Sequence, residues 1–292
     1  MRAFQKYHPF VLALYFFAVL IISMFVSNPM IQIMSLIGAI LFCIISKKEI
    51  LANSIGFYII FFLIISVSNP LFSHNGATPL FFLNGNPITL EAVIYGVGLG
   101  LTVISVAIWF QCMGFVFDQE KILYLCGKII PKLALVLSMA FRFIPMVWRQ
   151  AKSEMNAQKA LDVFEDAGFG KKLKIYADIF LSVMVWAFEK SIDTSTSMKA
   201  RGYGIGKRSV FSVFKFNSRD AVLSVIIAVL IFVSFVSLYL GGGEFDYYPK
   251  LSIIGTSLQD IFLYTAYGIL VLVPFITEIK EVVLWKYCVW KI

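Results

Sequence analysis

Six apolar segments, none of which contains Asp, Glu, Lys, Arg or His, dominate this sequence. A helix needs roughly 17–25 apolar residues to cross the hydrocarbon core of a bilayer. A chain with 60% hydrophobic and 14% charged residues is also far more apolar than a soluble domain. We therefore predict an all-α, polytopic membrane protein with about six transmembrane helices. The six segments are Phe10–Val26, Ile31–Ile45, Ile55–Val67, Ala92–Phe117, Val222–Leu240 and Ile261–Ile276, of which the second and third, with 15 and 13 residues, are the weakest.

The basic residues predict how these helices are oriented. If the N-terminus lies inside and the chain crosses six times, the outer segments are Ser27–Met30, Ser68–Glu91 and Gly241–Asp260, and a turn at Ser46–Glu49 lies inside. Only Lys250, of the 25 Lys and Arg residues, falls in an outer segment, which is the usual bias of inner loops toward positive charge. We therefore expect both termini to be cytoplasmic. The net charge of +8 follows from this topology and points to anionic lipid or an acidic protein, not to nucleic acid.

A basic insert, residues 119–220, separates an N-terminal transmembrane region, 1–118, from a C-terminal one, 221–292. The insert holds 17 of the 25 Lys and Arg residues, so we predict that it is cytoplasmic. The three helical pieces that we expect in it cover about 119–130, 131–165 and 172–201.

The last two pieces each carry an apolar stripe at four-residue spacing, which covers one face of a helix. Lone charges such as Arg142 and Glu189 interrupt the stripes, and this favours a position along the membrane interface over a span. We therefore predict a cytoplasmic pair of long helices, the first of them bent at Pro145. The stripe residues are Leu135, Met139, Phe143, Val147, Ala151 and Met155 in the first helix, and Ile175, Ile179, Val183 and Ala187 in the second.

Residues suited to catalysis, metal binding or nucleotide binding are scarce. The two histidines, His8 and His74, are predicted on opposite sides of the membrane, and the four cysteines form no CxxC pair, so we expect no metal site. Gly202–Arg208 is a poor phosphate-binding loop, since Arg201 replaces its first glycine and Arg208 its Ser or Thr. We therefore expect no cofactor and no ATP hydrolysis by this chain. Since the apolar segments lack the ionisable groups of ion-coupled transporters, a transport role would draw its energy from a partner.

The most distinctive segment, Ser197–Arg208, ends the third helical piece. Gly202 and Gly204 favour termination, and Lys199 and Arg201 place positive charge at the negative end of the helix dipole. One interpretation is a basic helix end without further role, and the other is a contact site for a cytoplasmic protein. Residue types alone leave both open.

Four segments together resemble the transmembrane T component of energy-coupling factor (ECF) transporters, a family that includes the permease subunit of cobalt uptake systems. They are His8-Pro9, the outer loop Asn69–Phe81, Arg142–Ala160 and Ser197–Arg208, in the order typical of that family. The resemblance implies a multi-pass protein of a prokaryotic cell membrane. It also implies two coupling helices ending in Ala-Arg-Gly motifs, each docked on one ABC-type ATPase subunit, and a substrate-binding S component embraced by the rest of the chain.

Ala200, Arg201 and Gly202 match the second of these docking motifs. In such a motif Ala permits close approach, Arg offers a fork of donors to ATPase carboxylates, and Gly lets the chain turn away. The neighbouring residues expected to support the motif are Lys199, Tyr203 and Gly204.

The first motif departs from the family pattern. Ala160 is present, but Leu161 replaces the arginine and Asp162 replaces the glycine. Leu161 cannot form the ion pair of the missing arginine, and Asp162 would repel an acidic groove on the ATPase. Lys159 would substitute for the arginine only in part. We therefore hypothesise an asymmetric pair of ATPases, one held mainly through Arg201 and the other through apolar contact around Leu161.

The resemblance thus implies a non-catalytic subunit that transmits ATPase motion to an S component, for uptake of a vitamin or a transition-metal ion. Two other interpretations remain open from the residues. One is an ABC-type permease with its own substrate path, and the other is a membrane scaffold without transport. The substrate stays open as well, because specificity in this family belongs to the S component.

Overall fold

The computed structural model describes residues 4–73, 75–83, 86–161, 168–205, 214–253 and 255–290, apart from some side chains within these ranges. Eight α-helices form most of this described part, together with a 3-10 turn, Phe4–Lys6, and a β-hairpin. The all-α prediction is therefore confirmed. The helices are α1 Pro9–Phe25, α2 Pro29–Phe72, α3 Leu90–Val116, α4 Gln119–Ile129, α5 Pro131–Ala160, α6 Phe169–Ala200, α7 Ser218–Tyr239 and α8 Leu258–Trp290, and the antiparallel strands are β1 Pro79–Leu83 and β2 Asn86–Thr89.

Five stretches of the described chain are helical, long and apolar enough to cross a membrane: α3, α5, α7, Ser54–Phe72 of α2 and Leu258–Leu284 of α8. The first predicted segment lies in α1 and the second in Pro29–Ile45 of α2, which are apolar but shorter. Every predicted segment is thus part of an apolar helix. α5 is also long and apolar enough to span a membrane. From the sequence alone, a position along the membrane interface was favoured instead, because lone charges interrupt its apolar stripe.

The predicted turn at Ser46–Glu49 is not a break in the backbone. Helical structure continues from Pro29 to Phe72, through the whole region between the two apolar segments. The residues of the predicted turn are therefore helical, and the reversal of the chain that the turn implied is found within α2. Two charged lysines interrupt the hydrophobicity of the chain, but they do not end a helix, because lysine is itself a good helix former.

The two ends of α2 nevertheless contact the same turn of α3. A Cβ atom placed on Gly98 would lie 3.1 Å from Oε1 of Gln32, and one placed on Gly100 would lie 2.8 Å from the ring of Phe62. A straight helix would separate Gln32 from Phe62 by about 45 Å. The chain therefore reverses within α2, and its two arms run in opposite directions along α3.

The described chain packs as two compact units. The first consists of Met1–Asp118 and Phe214–Ile292, and the second of Gln119–Val213. The first unit thus joins both predicted transmembrane regions around one core. At its centre Trp109 is fully buried, and its indole N–H donates to the Ser35 hydroxyl over 3.1 Å.

Buried carboxylates hold the N-terminal segment onto the first unit. The backbone N–H of Phe4 donates to Oε1 of Glu278 over 3.0 Å, and that of His8 donates to Oδ1 of Asp220 over 3.1 Å. His8 also caps α1, because its Nδ1 accepts from the N–H of Phe10. The His8-Pro9 pair therefore begins α1 and attaches it to α7.

Candidate functional site

The second unit contains the two long helices α5 and α6, which correspond to the predicted pair. The stripe residues of α5 are all half-buried, and the buried residues of α6 are Ile179 and Val183, both in its stripe. The predicted stripes are therefore the packing faces. The helical structure of α5 passes through Pro145 without interruption.

A groove of about 560 Å³ lies between the middle of α5 and the end of α6. Its lining combines four large apolar side chains with three cations and one carboxylate, so it carries two net positive charges. Nζ of Lys190 lies 3.5 Å from Oδ2 of Asp193 across one turn of α6. The lining residues are Met139, Arg142, Phe143 and Met146 of α5, and Lys190, Asp193, Thr194, Ser197, Met198 and Arg201 of α6.

α6 ends in a Schellman motif built by the segment that the sequence singled out. The N–H of Tyr203 donates to the carbonyl of Met198 over 3.0 Å. The N–H of Gly202 donates to the carbonyl of Lys199 over 3.0 Å, which completes the motif. Gly202 has a φ of +80°, a left-handed conformation that costs a residue with a side chain about 1–2 kcal/mol. Glycine at this position therefore sets where α6 ends and how the chain leaves it.

Arg201 is the C-cap of α6 and lines the groove. Its side chain is exposed, and within the described residues its guanidinium makes no hydrogen bond or ion pair. Ala200 is also exposed, and its small side chain leaves the last turn open to close approach. The predicted supporting residues Lys199, Tyr203 and Gly204 are likewise exposed. The end of α6 is thus a solvent-facing surface with a cation at its tip.

α5 ends at Ala160, and Leu161 is its C-cap. The N–H of Leu161 donates to the carbonyl of Ala157 over 3.2 Å, and its side chain is 71% exposed. Most of this apolar side chain is therefore left uncovered by the described residues. Lys159 is exposed beside it. Asp162, which replaces the glycine of the motif, lies outside the described residues.

The groove and the end of α5 are separate places. Met146 is the groove residue of α5 that lies nearest to Leu161 along the chain, and their separation of 15 positions corresponds to about 22 Å of helix. The fold therefore brings Arg201 together with Arg142 and Lys190, but not with Leu161.

The positions of Arg142 and Lys190 in this groove were not predicted from the sequence. Arg142 stood out only as a charge that interrupts an apolar stripe, and Lys190 did not stand out at all. The available signal was spacing, because Lys190, Asp193, Ser197 and Arg201 recur every three or four residues and so share one face of α6.

Comparisons with known proteins agree with the motifs. A family model described as cobalt transport protein, CbiQ, matches residues 5–212. Relatives named energy-coupling factor transporter transmembrane protein EcfT include those of Lactobacillus helveticus, 34% identical over 95 residues, Lactococcus lactis subsp. cremoris, 35% over 101, and Exiguobacterium sibiricum, 32% over 114. These alignments cover 32%, 34% and 38% of this chain and 34%, 38% and 42% of the relatives. The matches thus span about two-fifths of the relatives' length or less.

The family match covers more than two thirds of the 292 residues. It runs from the N-terminal segment that holds α1 to beyond the end of α6, and so includes both helix ends and the groove. The resemblance to the T component of ECF transporters is thereby confirmed, and the chain belongs to the cobalt transport protein family, CbiQ.

Proposed function

We propose that this chain is the transmembrane coupling subunit of an ATP-driven uptake transporter of the ECF type. It transmits the motion of two ABC-type ATPase subunits to a substrate-binding S component, which imports a vitamin or a transition-metal ion. The observation that carries the proposal is the end of α6, where a Schellman motif presents an exposed Arg201. The apolar helices and the EcfT names of the relatives support a transport role in a membrane.

Arg201 makes the specific contact to the first ATPase. A guanidinium presents five N–H donors in a planar fork and pairs with carboxylates through two parallel hydrogen bonds. Since Arg201 has no such partner within the described chain, docking breaks no internal ion pair. Ala200 lets the ATPase surface approach the last turn, and Gly202 carries the chain away from it.

The second ATPase docks on the end of α5 by an apolar contact. Leu161 is 71% exposed there, and burying one leucine side chain stabilises a contact by about 1.5–3 kcal/mol. It lacks the directional hydrogen bonds of an arginine. The two ATPases are therefore held asymmetrically, the first by charge and the second by hydrophobic burial.

Transmission is mechanical. ATP binding draws the two ATPases together. The ends of α5 and α6, each docked on one ATPase, move with them. This shift of the two helices reorients the S component in the membrane. The helices transmit the shift because each ATPase contacts them differently in its two states. Packing through Ile179, Val183 and the half-buried stripe of α5 makes the pair move together.

The chain itself is non-catalytic, and its ATPase partners hydrolyse ATP. It lies in the cell membrane of a prokaryote with both termini in the cytoplasm, as the distribution of Lys and Arg supports. The surrounding bilayer is its other partner, and nucleic acid is not one.

Co-purification from membranes tests this function. Wild type, Arg201→Glu and Lys174→Glu are each co-expressed with the ATPase pair and recovered through a tag on this chain. Lys174 is exposed near the start of α6, so its variant makes the same charge change on the same helix. We expect Arg201→Glu to lose one ATPase and to abolish uptake, and Lys174→Glu to retain both.

Recovery of both ATPases with Arg201→Glu would contradict the docking role. Unchanged uptake in the same variant would favour a scaffold. Substrate bound by the purified chain without an S component would favour a permease with its own substrate path.

A further inference from the structure

The groove between α5 and α6 has features that docking of an ATPase does not require. Arg142 comes from α5, whereas Lys190 and Arg201 come from α6, so three cations from two helices line one space of about 560 Å³. Among the described residues, the only carboxylate in its lining is Asp193, which pairs with Lys190. The described lining thus carries two positive charges that none of its own anions neutralises.

The apolar part of the lining is equally specific. Met139, Phe143 and Met146 lie on one face of α5, at spacings of three and four residues, and Met198 of α6 joins them. Thioether and aromatic side chains adapt to flexible hydrocarbon. A ligand that fits this groove therefore combines a negatively charged group with an apolar portion.

The groove also lies where the composition of α5 changes from apolar to charged. Residues 131–148 of α5 are largely apolar, whereas 149–160 contain four charged residues. Trp148 is 73% exposed and precedes Arg149, a pairing typical of the membrane–water boundary. The groove residue Met146 is two positions away, so the groove lies at the level expected for lipid headgroups.

We propose that this groove binds the phosphate headgroup of an anionic phospholipid, with Arg142 and Lys190 beside the phosphate and the methionines and Phe143 against the start of the acyl chains, which leaves Arg201 to the ATPase contact. Phosphate is the ligand that convergent guanidinium and ammonium groups bind. A lipid is favoured over a free phosphate because four large apolar side chains line the groove and α5 is apolar enough to enter a membrane. The proposal does not depend on ATPase docking.

Native mass spectrometry of the purified full chain in detergent tests this. Phosphatidylglycerol, phosphatidylcholine and inorganic phosphate are added separately to wild type, to Arg142→Gln/Lys190→Gln, and to Lys152→Gln/Lys174→Gln. The last variant removes one exposed lysine from each of the same two helices, outside the groove. Arg201 stays unchanged in all three, so that a failure here is distinguishable from a failure of the docking proposal.

Wild type and the lysine control should retain phosphatidylglycerol in preference to phosphatidylcholine. The groove variant should bind phosphatidylglycerol roughly 30-fold more weakly, since each basic residue near an anionic headgroup contributes about a factor of five. Thermal unfolding of each variant in detergent confirms that it is folded.

Equal binding of the two lipids by wild type would overturn the proposal, as would equal losses in the groove variant and the control. Displacement of phosphatidylglycerol by inorganic phosphate at the same concentration would assign the groove to free phosphate. An unchanged preference for phosphatidylglycerol in the groove variant would also overturn the proposal.

Discussion

The ends of α5 and α6 share one backbone conformation but differ in side chain. Leu161 and Arg201 are both C-caps, with φ and ψ of −91° and 10° in the first and −81° and 7° in the second. Each backbone N–H donates to the carbonyls four and two residues before it. Because these are backbone hydrogen bonds, they form whatever side chain the C-cap residue carries. The side chain at this position can therefore differ without altering the backbone of the helix end. Two similar ends can therefore offer a partner either charge or hydrophobic surface.

Making both ends apolar has the largest expected effect. In Arg201→Leu the end of α6 acquires the side chain that ends α5. Affinity for one ATPase should fall by about 100-fold, since loss of one partner of an interfacial charge pair costs about 3 kcal/mol. Titration of purified ATPase onto the chain in lipid nanodiscs measures this. Lys174→Leu is the control and should leave the affinity within about twofold, because an exposed charge far from the contact contributes little.

Making both ends charged should have a smaller effect of opposite sign. In Leu161→Arg the end of α5 acquires the residue that ends α6. Affinity for the second ATPase should rise about tenfold, because a new interfacial charge pair contributes about 3 kcal/mol and the lost burial of the leucine side chain offsets about 1.5 kcal/mol of it. The same titration measures it, with Leu161→Met as an apolar control that should stay near wild type. If Leu161→Arg tightened neither ATPase, the asymmetry would lose its support.

Changing the turn after Arg201 should have the smallest effect. Gly202→Ala places a Cβ atom on a residue with a φ of +80°, so the end of α6 should lose about 1 kcal/mol and the first ATPase should bind about fivefold more weakly. Faster hydrogen exchange at the N–H of Tyr203 would accompany this loss. Gly170→Ala is the matched control, because a Cβ atom there meets nothing within 4 Å. Equal losses in the two variants would mean that the left-handed turn has no special role.

Local patterns predicted much of this molecule. The lengths of the apolar segments identified the helices of the first unit, and the four-residue stripes identified the packing faces of α5 and α6. The glycine after Arg201 predicted where α6 ends. These features depend on neighbouring residues only, which is why one sequence was sufficient. The docking roles of Ala200, Arg201, Leu161 and their neighbours remain proposals.

One local feature was only partly predicted. The turn at Ser46–Glu49 anticipated a reversal of the chain, but not that good helix formers continue α2 across it. The reversal of α2 depends on packing against α3, where Gly98 and Gly100 admit both arms. The pattern of apolar segments predicted that the chain reverses, but not how its two arms pack against α3.

By itself, then, the sequence determined that this chain enters a membrane, which residues are helical, and that an arginine precedes a helix-ending glycine. The length of an apolar segment and the backbone preferences of single residues depend only on neighbouring residues, so both can be predicted from the sequence without knowing the tertiary structure. Only the tertiary structure decided that Arg142 joins Lys190 and Arg201 around one groove, while Leu161 lies apart. Those residues are distant in the chain, and they meet because the half-buried stripe of α5 and the stripe of α6 that holds Ile179 and Val183 set the register of the two helices.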